Sequence, residues 1–303
     1  MTAVVVAPSQ PALAAVVPRE YGRSLWSNAF RRLRRHPGAR IGFVLLGFLV
    51  LLAVAAPFAT PFDPNDVVYT DRLAPPLMNG HLLGADDLGR DVLTRVMYGA
   101  QTSLRVGIVS VSVALIIGAF IGFTAGFAGS WWDGVSMRVM DVMLSFPTIL
   151  LAIFIVAVRG PGILNTMLAI AIVRIPQYAR ISRASVLSLK EQEYVTAARA
   201  TGATGVRILV KHLIPNSLSP LTVQATLGLA TAILEAAALG YLGLGAQAPD
   251  VEWGAMLVDS VRYLFQGAWW ALTFPGLAIM FTVISFNLIG DGLRDALDPR
   301  LRG

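Results

Sequence analysis

The sequence contains no cysteine, which excludes disulfides, thiolate metal sites and cysteine nucleophiles. Charge is scarce as well: only 14% of the 303 residues are Asp, Glu, Lys or Arg, against 55% hydrophobic residues. So few polar groups cannot cover a soluble globule of this size, and the bilayer class is favoured before any motif is considered. Lysine is nearly missing: Lys190 and Lys211 follow no glycine-rich loop, and no GxxxxGK(S/T) occurs, so the chain carries no nucleotide-hydrolysing loop of its own. Its three histidines, His36, His81 and His212, are far apart in sequence, and no shared metal site is expected. Acids such as Asp86 and Asp87 lie in a Gly- and Pro-rich stretch that favours ordinary exposed acids over a hydrolytic pair. No enzyme is expected.

What the chain does have is long apolar runs and blocks of arginine. A hydrocarbon core about 30 Å thick takes about 20 helical residues. Six runs of about that length emerge: 41 to 60, 103 to 128, 139 to 158, 162 to 179, 218 to 245 and 268 to 290. The expected fold is therefore an all-α membrane protein with six transmembrane helices. The exit of the first run, PFATPFDP, offers no small-residue cleavage site, so that run reads as a retained anchor. Net charge is +6, but the basic residues flank apolar runs, which is a topology signal and not a nucleic-acid footprint. Seven arginines precede the first run, and seven Lys or Arg lie between Arg174 and Lys211; both blocks should be cytoplasmic, as should both termini. The acid-rich segment from 61 and the stretch 246 to 267 should then face outward.

Five regions follow. Residues 1–40 form a cytoplasmic N-terminal region. Within it, residues 1–18 make a tail without period or charge, and SLWSNAFRRLRRHPG places Leu25, Trp26, Phe30 and Leu33 near one helical face. This suits either an interfacial amphipathic helix or a topology anchor. Residues 41–60 are the first anchor and 61–102 an extracytoplasmic segment. Residues 103–290 form a five-helix core with a cytoplasmic loop at 181–217, and 291–303 a C-terminal tail.

Few charges fall inside the runs. Glu235 should face the bundle interior or a wet path, as a relay, a substrate ligand or a structural carboxylate bonded to a neighbouring helix. Arg138 and Asp141, three residues apart on a helix, are expected to pair as an end-of-span anchor. Small residues in GAFIGFTAGFAG (118 to 129) and LGYLGLGAQAP (239 to 249) permit close helix packing.

The stretch EYVTAARATGATGVRILVKHLIPN (193 to 216) interrupts this apolar chain with a soluble-looking pattern. Glu193 to Ala203 favours helix, with Ala197, Ala198 and Gly202 giving a small-residue surface. Gly202 and Gly205 bracket a turn. Thr204 can cap a second short helix, which should stop near Ile214 because Pro215 disfavours helix in the residue before it. A bent helical pair, tied at both ends to membrane helices, suits a push from a soluble partner.

These residues resemble the cytoplasmic EAA loop of ABC importer permeases, with Thr196 standing where the first Glu of that motif usually stands. The full string is similar to the version in the dipeptide, oligopeptide and nickel permeases, where the acid comes three residues earlier, as Glu193 does. SLWSNAFRRLRRHPGARIGFVLLGFLVLLAVAAPFATPFDP resembles the anchor of the C-type subunit of these permeases. HLLGADDLGRDVLTRVMYGAQTSL, RVMDVMLSFPTILLAI, LEAAALGYLGLGAQAPDVEWGAML and NLIGDGLRDALDPRLRG are similar to further family segments in order. The resemblance implies a type I ABC importer permease fold in the plasma membrane of a prokaryote. It implies a second, B-type permease subunit, two ATP-binding subunits that hold ATP and Mg, an extracytoplasmic substrate-binding protein, short peptides as substrate and membrane lipid around the chain. This chain would hold no cofactor, and a nickel chelate, glutathione or another peptide-like solute would be the alternative cargo. Glu193, Ala197, Ala198, Arg199, Gly202, Gly205 and Pro215 would form the ATPase-coupling contact. Asp86, Asp87, Arg90 and Asp91 are candidates for the outer mouth or the binding-protein contact. An ion-driven single-chain carrier would need inverted repeats and broken half-helices, and neither is visible in the sequence.

Overall fold

The computed structural model describes residues 25–297; the expected tail at 1–18 and the last six residues lie outside them. The order of helices is α1 (Leu25–Arg35), α2 (Pro37–Ala59), α3 (Val92–Ala128), α4 (Ser130–Leu144), α5 (Thr148–Arg159), α6 (Ile163–Lys190), α7 (Glu193–Ala200), α8 (Gly205–Ile208), α9 (Ile214–Tyr241), α10 (Trp253–Val261) and α11 (Trp269–Leu297). Among the described residues there is no strand, only two isolated bridges, Met78 with His81 and Ala85 with Asp91. Residues 291–297, assigned to a tail from sequence, continue α11.

Among the described residues, four continuous stretches are long and apolar enough to cross a bilayer: Pro37–Ala59, Val92–Ala128, Gly205–Tyr241 and Trp269–Leu297. A fifth is reached if α4 and α5 count as one span bent by 91°. The run 139 to 158 is thus not the continuous helix its composition suggests. Pro147 disfavours helix at Phe146 and cannot donate to the carbonyl a turn earlier, so the chain breaks after Ser145 and restarts at Thr148. A broken helix, not visible from sequence, is present. The fourth expected run, 162 to 179, lies in α6, where Arg174 and the arginines that follow it at 180 and 183 remove that helix from the strongly apolar set.

The connections gather at two ends. At one, Lys190 Nζ donates to the Gly126 and Phe127 carbonyls, 3.2 Å each, and His36 Nε2 lies 3.3 Å from Asp295 Oδ2. At the other, Asn65 Nδ2 donates to Pro249 O at 2.9 Å, Gly162 N to Leu244 O at 3.3 Å, and Trp270 Nε1 to Ala85 O at 3.0 Å. The main core joins α3, α5, α6, α9 and the α7–α8 hairpin; a second cluster at the outer-segment end joins α3, α10 and α11.

Helices in lipid gain nothing from burying leucine against leucine, so they associate where small residues let backbones approach. The α3–α6 pair, the most extensive in the chain, is built this way. Gly118, Gly122 and Gly126, one helical turn apart, face the α6 backbone. A Cβ at Gly122 would lie 2.1 Å from the Ala179 carbonyl oxygen, and one at Gly118 would lie 2.6 Å from the Ile175 oxygen. Both distances are below contact, so the sequence GAFIGFTAGFAG is a helix-packing ridge.

Gly122→Val should force α3 and α6 apart and cost about 1–3 kcal/mol or more by overpacking. Gly134→Val, at a position with no atom within 4 Å of the added Cβ, serves as the control. Thermal unfolding of the two proteins in detergent should show the first clearly lowered and the second close to the parent; equal midpoints would contradict the packing argument.

Candidate functional site

The hairpin that follows α6 is built from local rules. Gln192 is extended and its carbonyl accepts from Val195 N at 3.0 Å, opening α7 with Glu193 in the first turn and Arg199 in the last, each on the side the helix dipole favours. At the other end Ala203 N donates to Ala198 O and Gly202 N to Arg199 O, both at 3.0 Å. That bond pair is a Schellman closure, which needs a left-handed residue at its centre; Gly202 supplies it at φ +81°. Thr204 then caps α8, its hydroxyl accepting from Arg207 N at 3.4 Å.

The second helix does not stop before Pro215 as its sequence suggests. A π-helical turn, Leu209–Leu213, leads straight into α9. The wider turn gives the proline ring room, and Ile214 stays right-handed at φ −56°, ψ −52°. Asn216 Nδ2 donates to His212 O at 2.6 Å and Ser217 Oγ to Leu213 O at 2.8 Å, serving carbonyls of the wide turn. The hairpin is therefore continuous with α9.

Its inner face is anchored: Val195, Ile208 and Leu213 are buried in the main core, with Phe127 and Leu189 against it. A Cβ on Gly205 would lie 3.1 Å from the Phe127 ring. Its outer face is open, with a groove of about 420 Å³ lined by Tyr194, Ala197, Ala198, Gly202, Arg207 and His212. Burial raises the Tyr194 hydroxyl pKa above its ordinary value, with the Asn216 side chain opposing. Of the coupling residues expected from sequence, Ala197, Ala198 and Gly202 line this groove; Glu193, Arg199 and Pro215 are exposed beside it.

A second polar feature lies between α6 and α9. Glu235 accepts from Arg174 through Nε at 3.1 Å and Nη2 at 3.0 Å, at a cavity of about 660 Å³ also lined by Gln177, Arg180, Gln224 and Thr231. Leu144 and Thr148, flanking the α4–α5 bend, close one side. Gln224, Thr231 and Glu235 recur every seven and four residues, hence on one face of α9. The pairing expected between Arg138 and Asp141 does not form. Asp141 pairs with Arg180 and Asp133 with Arg183, the latter at 2.6 Å, so α4 is tied to α6 while Arg138 is exposed. Partner helices offer a better-placed guanidinium than the neighbour one turn away. Arg174 and Arg180 were legible as members of the basic block at the end of the fourth run; their partners needed three dimensions.

The acids of the outer segment are not the ordinary exposed acids that loop composition suggests. Asp86 accepts from Leu88 N and Arg90 N at 2.9 Å and from Arg90 Nε at 2.7 Å, and lies 3.5 Å from Arg95 Nε. Asp87 lies 3.8 Å from Arg90. Asp91 caps α3, accepting from Thr94 N and Oγ1 at 2.7 Å, and holds His81 Nδ1 at 2.9 Å. Gly89, at φ +78°, passes so near Val68 O that a Cβ would lie 1.9 Å away. These four candidate mouth residues chiefly fold the segment onto α3. Nearby, burial raises the carboxyl pKa of Glu252, opposed by the amides of Gly254 and Ala255 and by Ser103. Arg105, a residue the sequence reading leaves without a role, is exposed on α3, and its charge within the run 103 to 128 was the available signal.

Residues 114–303 match the family described as binding-protein-dependent transport system inner membrane component. Residues 24–76 match the N-terminal TM domain of oligopeptide transport permease C. The dipeptide transport system permease protein DppC of Alkalihalophilus pseudofirmus is 50% identical over 279 residues, 92% of this chain and 91% of that protein. The Escherichia coli K12 protein of the same name is 46% identical over 295 residues, 96% and 97% of the two chains. A structure of the MetNI methionine ABC transporter in inward-facing conformations aligns with a TM-score of 0.53 at 23% identity, covering 67% of this chain and 96% of that one.

Removing one member of a buried ion pair strands the other charge, whereas removing both does not. Arg174→Leu alone should therefore destabilise by about 3–5 kcal/mol, and Arg174→Leu with Glu235→Leu by distinctly less. Unfolding midpoints of the single and double variants in detergent check this; a double variant as unstable as the sum of two singles would contradict it.

Proposed function

Since this chain belongs to the binding-protein-dependent transport permeases, as a C-type permease subunit of an ABC importer, we propose that it imports short peptides. It does so beside a B-type permease subunit, driven by two ATP-binding subunits and supplied by an extracytoplasmic binding protein. ATP and Mg reside on the partners. The chain sits as a multi-pass protein in the plasma membrane, with the hairpin and both termini on the cytoplasmic side. The peptide substrate rests on the names carried by relatives that span almost the whole chain.

The observation that carries the mechanism is the continuity of the hairpin with α9 through the π-helical turn. Its outer groove offers Ala197, Ala198 and Gly202 to a close-fitting surface, with Arg207, Lys211 and His212 at its rim. Its inner face is locked into the core by Val195, Ile208 and Leu213. A displacement imposed on the groove is therefore delivered to α6 and α9, which carry the Arg174–Glu235 cavity between them. ATP-driven closure of the partners shifts the permease between inward-open and outward-open states only if the two states contact the groove differently.

Ala198→Glu, at the margin of the main core, and Gly202→Asp, which also strains the left-handed tip at φ +81°, each place a charge in the groove. Both should abolish peptide uptake and reduce co-purification of the ATP-binding subunits, with normal amounts of inserted protein. Wild-type uptake together with wild-type co-purification would refute the coupling role.

A further inference from the structure

The geometry points to a binding vestibule for a zwitterionic short peptide at the outer end of the bundle, in which Arg105 receives the terminal carboxylate and Asp250 the terminal ammonium. This rests on the peptide reading above and gives it a site. A cavity of about 560 Å³ is lined there by Asn65, Tyr98, Gln101, Thr102, Arg105 and Asp250. That volume lies within the range of about 300–1,000 Å³ typical of small-ligand pockets. Tyr98, Gln101, Thr102 and Arg105 stand at i, i+3, i+4 and i+7, so one face of α3 forms a wall. The opposite wall is the connection between α9 and α10. A turn closed by Asp250 N donating to Gln247 O at 2.9 Å shapes it, and Asn65 Nδ2 bound to Pro249 O at 2.9 Å ties it to the outer segment. Gln101 Nε2 is fixed to Ala53 O of α2 at 2.7 Å. The walls are thus joined before any ligand arrives.

Two full charges of opposite sign open on this space, and among the described residues neither side chain has a hydrogen-bond or ion-pair partner. Elsewhere at this end Asp86, Asp91 and Glu252 are consumed by internal bonds. Arg105 precedes Ala128, the end of α3, by 23 residues, about 35 Å of helix. That exceeds a hydrocarbon core of about 30 Å, so its guanidinium lies at the outer water boundary. An anionic solute alone would satisfy Arg105 and face Asp250; an extended chain with both an ammonium and a carboxylate satisfies both, while Tyr98, Gln101 and Thr102 leave room for varied side chains.

Because the chain has no cysteine, Thr102→Cys gives it a single thiol, tested in the full complex with partner cysteines removed and the binding protein omitted. L-Alanyl-L-alanine should slow alkylation by a membrane-impermeant reagent in either the nucleotide-free or the vanadate-trapped complex, and N-acetyl-L-alanyl-L-alanine amide should not. Adding Arg105→Gln or Asp250→Asn should raise the peptide concentration for half-protection about tenfold or more, while the labelling rate without peptide stays at the parent value. Protection equal for free and capped peptide, or none in either state, would overturn the vestibule. So would protection without peptide that follows phosphatidylethanolamine content, since that zwitterionic headgroup carries the same pair of charges. Uptake measured alongside separates the two levels: no peptide import by the parent complex removes the underlying reading, whereas normal import with no protection removes only this site.

Discussion

The backbones of α3 and α6 meet at Gly118 and Gly122 with no room for a single Cβ, and at Gly126 with little, and much else in the protein follows from that contact. With one face of α6 pressed against α3, its polar residues Arg174, Gln177 and Arg180 must turn away, toward α9 and the α4–α5 bend. There Arg174 pairs with Glu235, which follows the general rule for ionisable groups at membrane depth, and Arg180 pairs with Asp141. The same contact fixes the lower end of α6, where Lys190 binds the last carbonyls of α3, and so sets where the hairpin begins.

The hairpin is then a mechanical consequence of its neighbours. It enters from a helix clamped against α3 and leaves through a π-helical turn into α9, with no flexible joint on the exit side. Three buried residues hold its inner face and a left-handed glycine shapes its tip, so its outer groove is both exposed and stiff. Such a surface can transmit a displacement because it has few internal ways to absorb one. At the opposite end, the outer segment is folded onto α3 by its own acids and histidine, which leaves Arg105 and Asp250 as charges open to solute.

Much of this was legible in the sequence. The apolar runs and arginine blocks mark the helices, Gly202 and Thr204 mark the turn and the second cap, and the glycines at 118, 122 and 126 mark the packing ridge. What failed did so for identifiable reasons. Pro147 inside RVMDVMLSFPTILLAI breaks a run that composition reads as one helix, whereas Pro215, the same residue type, sits within a continuous one because a widened turn precedes it. Arg138 and Asp141 were paired by helical spacing, but α6 presents Arg180 to Asp141 and Arg138 is left exposed. The acids at 86, 87 and 91 looked exposed because a loop's tertiary bonds leave no periodic trace.

The central claim is that the groove of the hairpin is where the ATP-binding subunits act on this chain. Its most direct measurement is oxidative cross-linking of Ala197→Cys, the only thiol on the chain, to single cysteines across the surface of the ATP-binding subunit in the assembled complex. A specific cross-link whose yield changes between the nucleotide-free and vanadate-trapped states is the predicted result. No cross-link in either state, with the complex intact and importing peptide, would contradict the account.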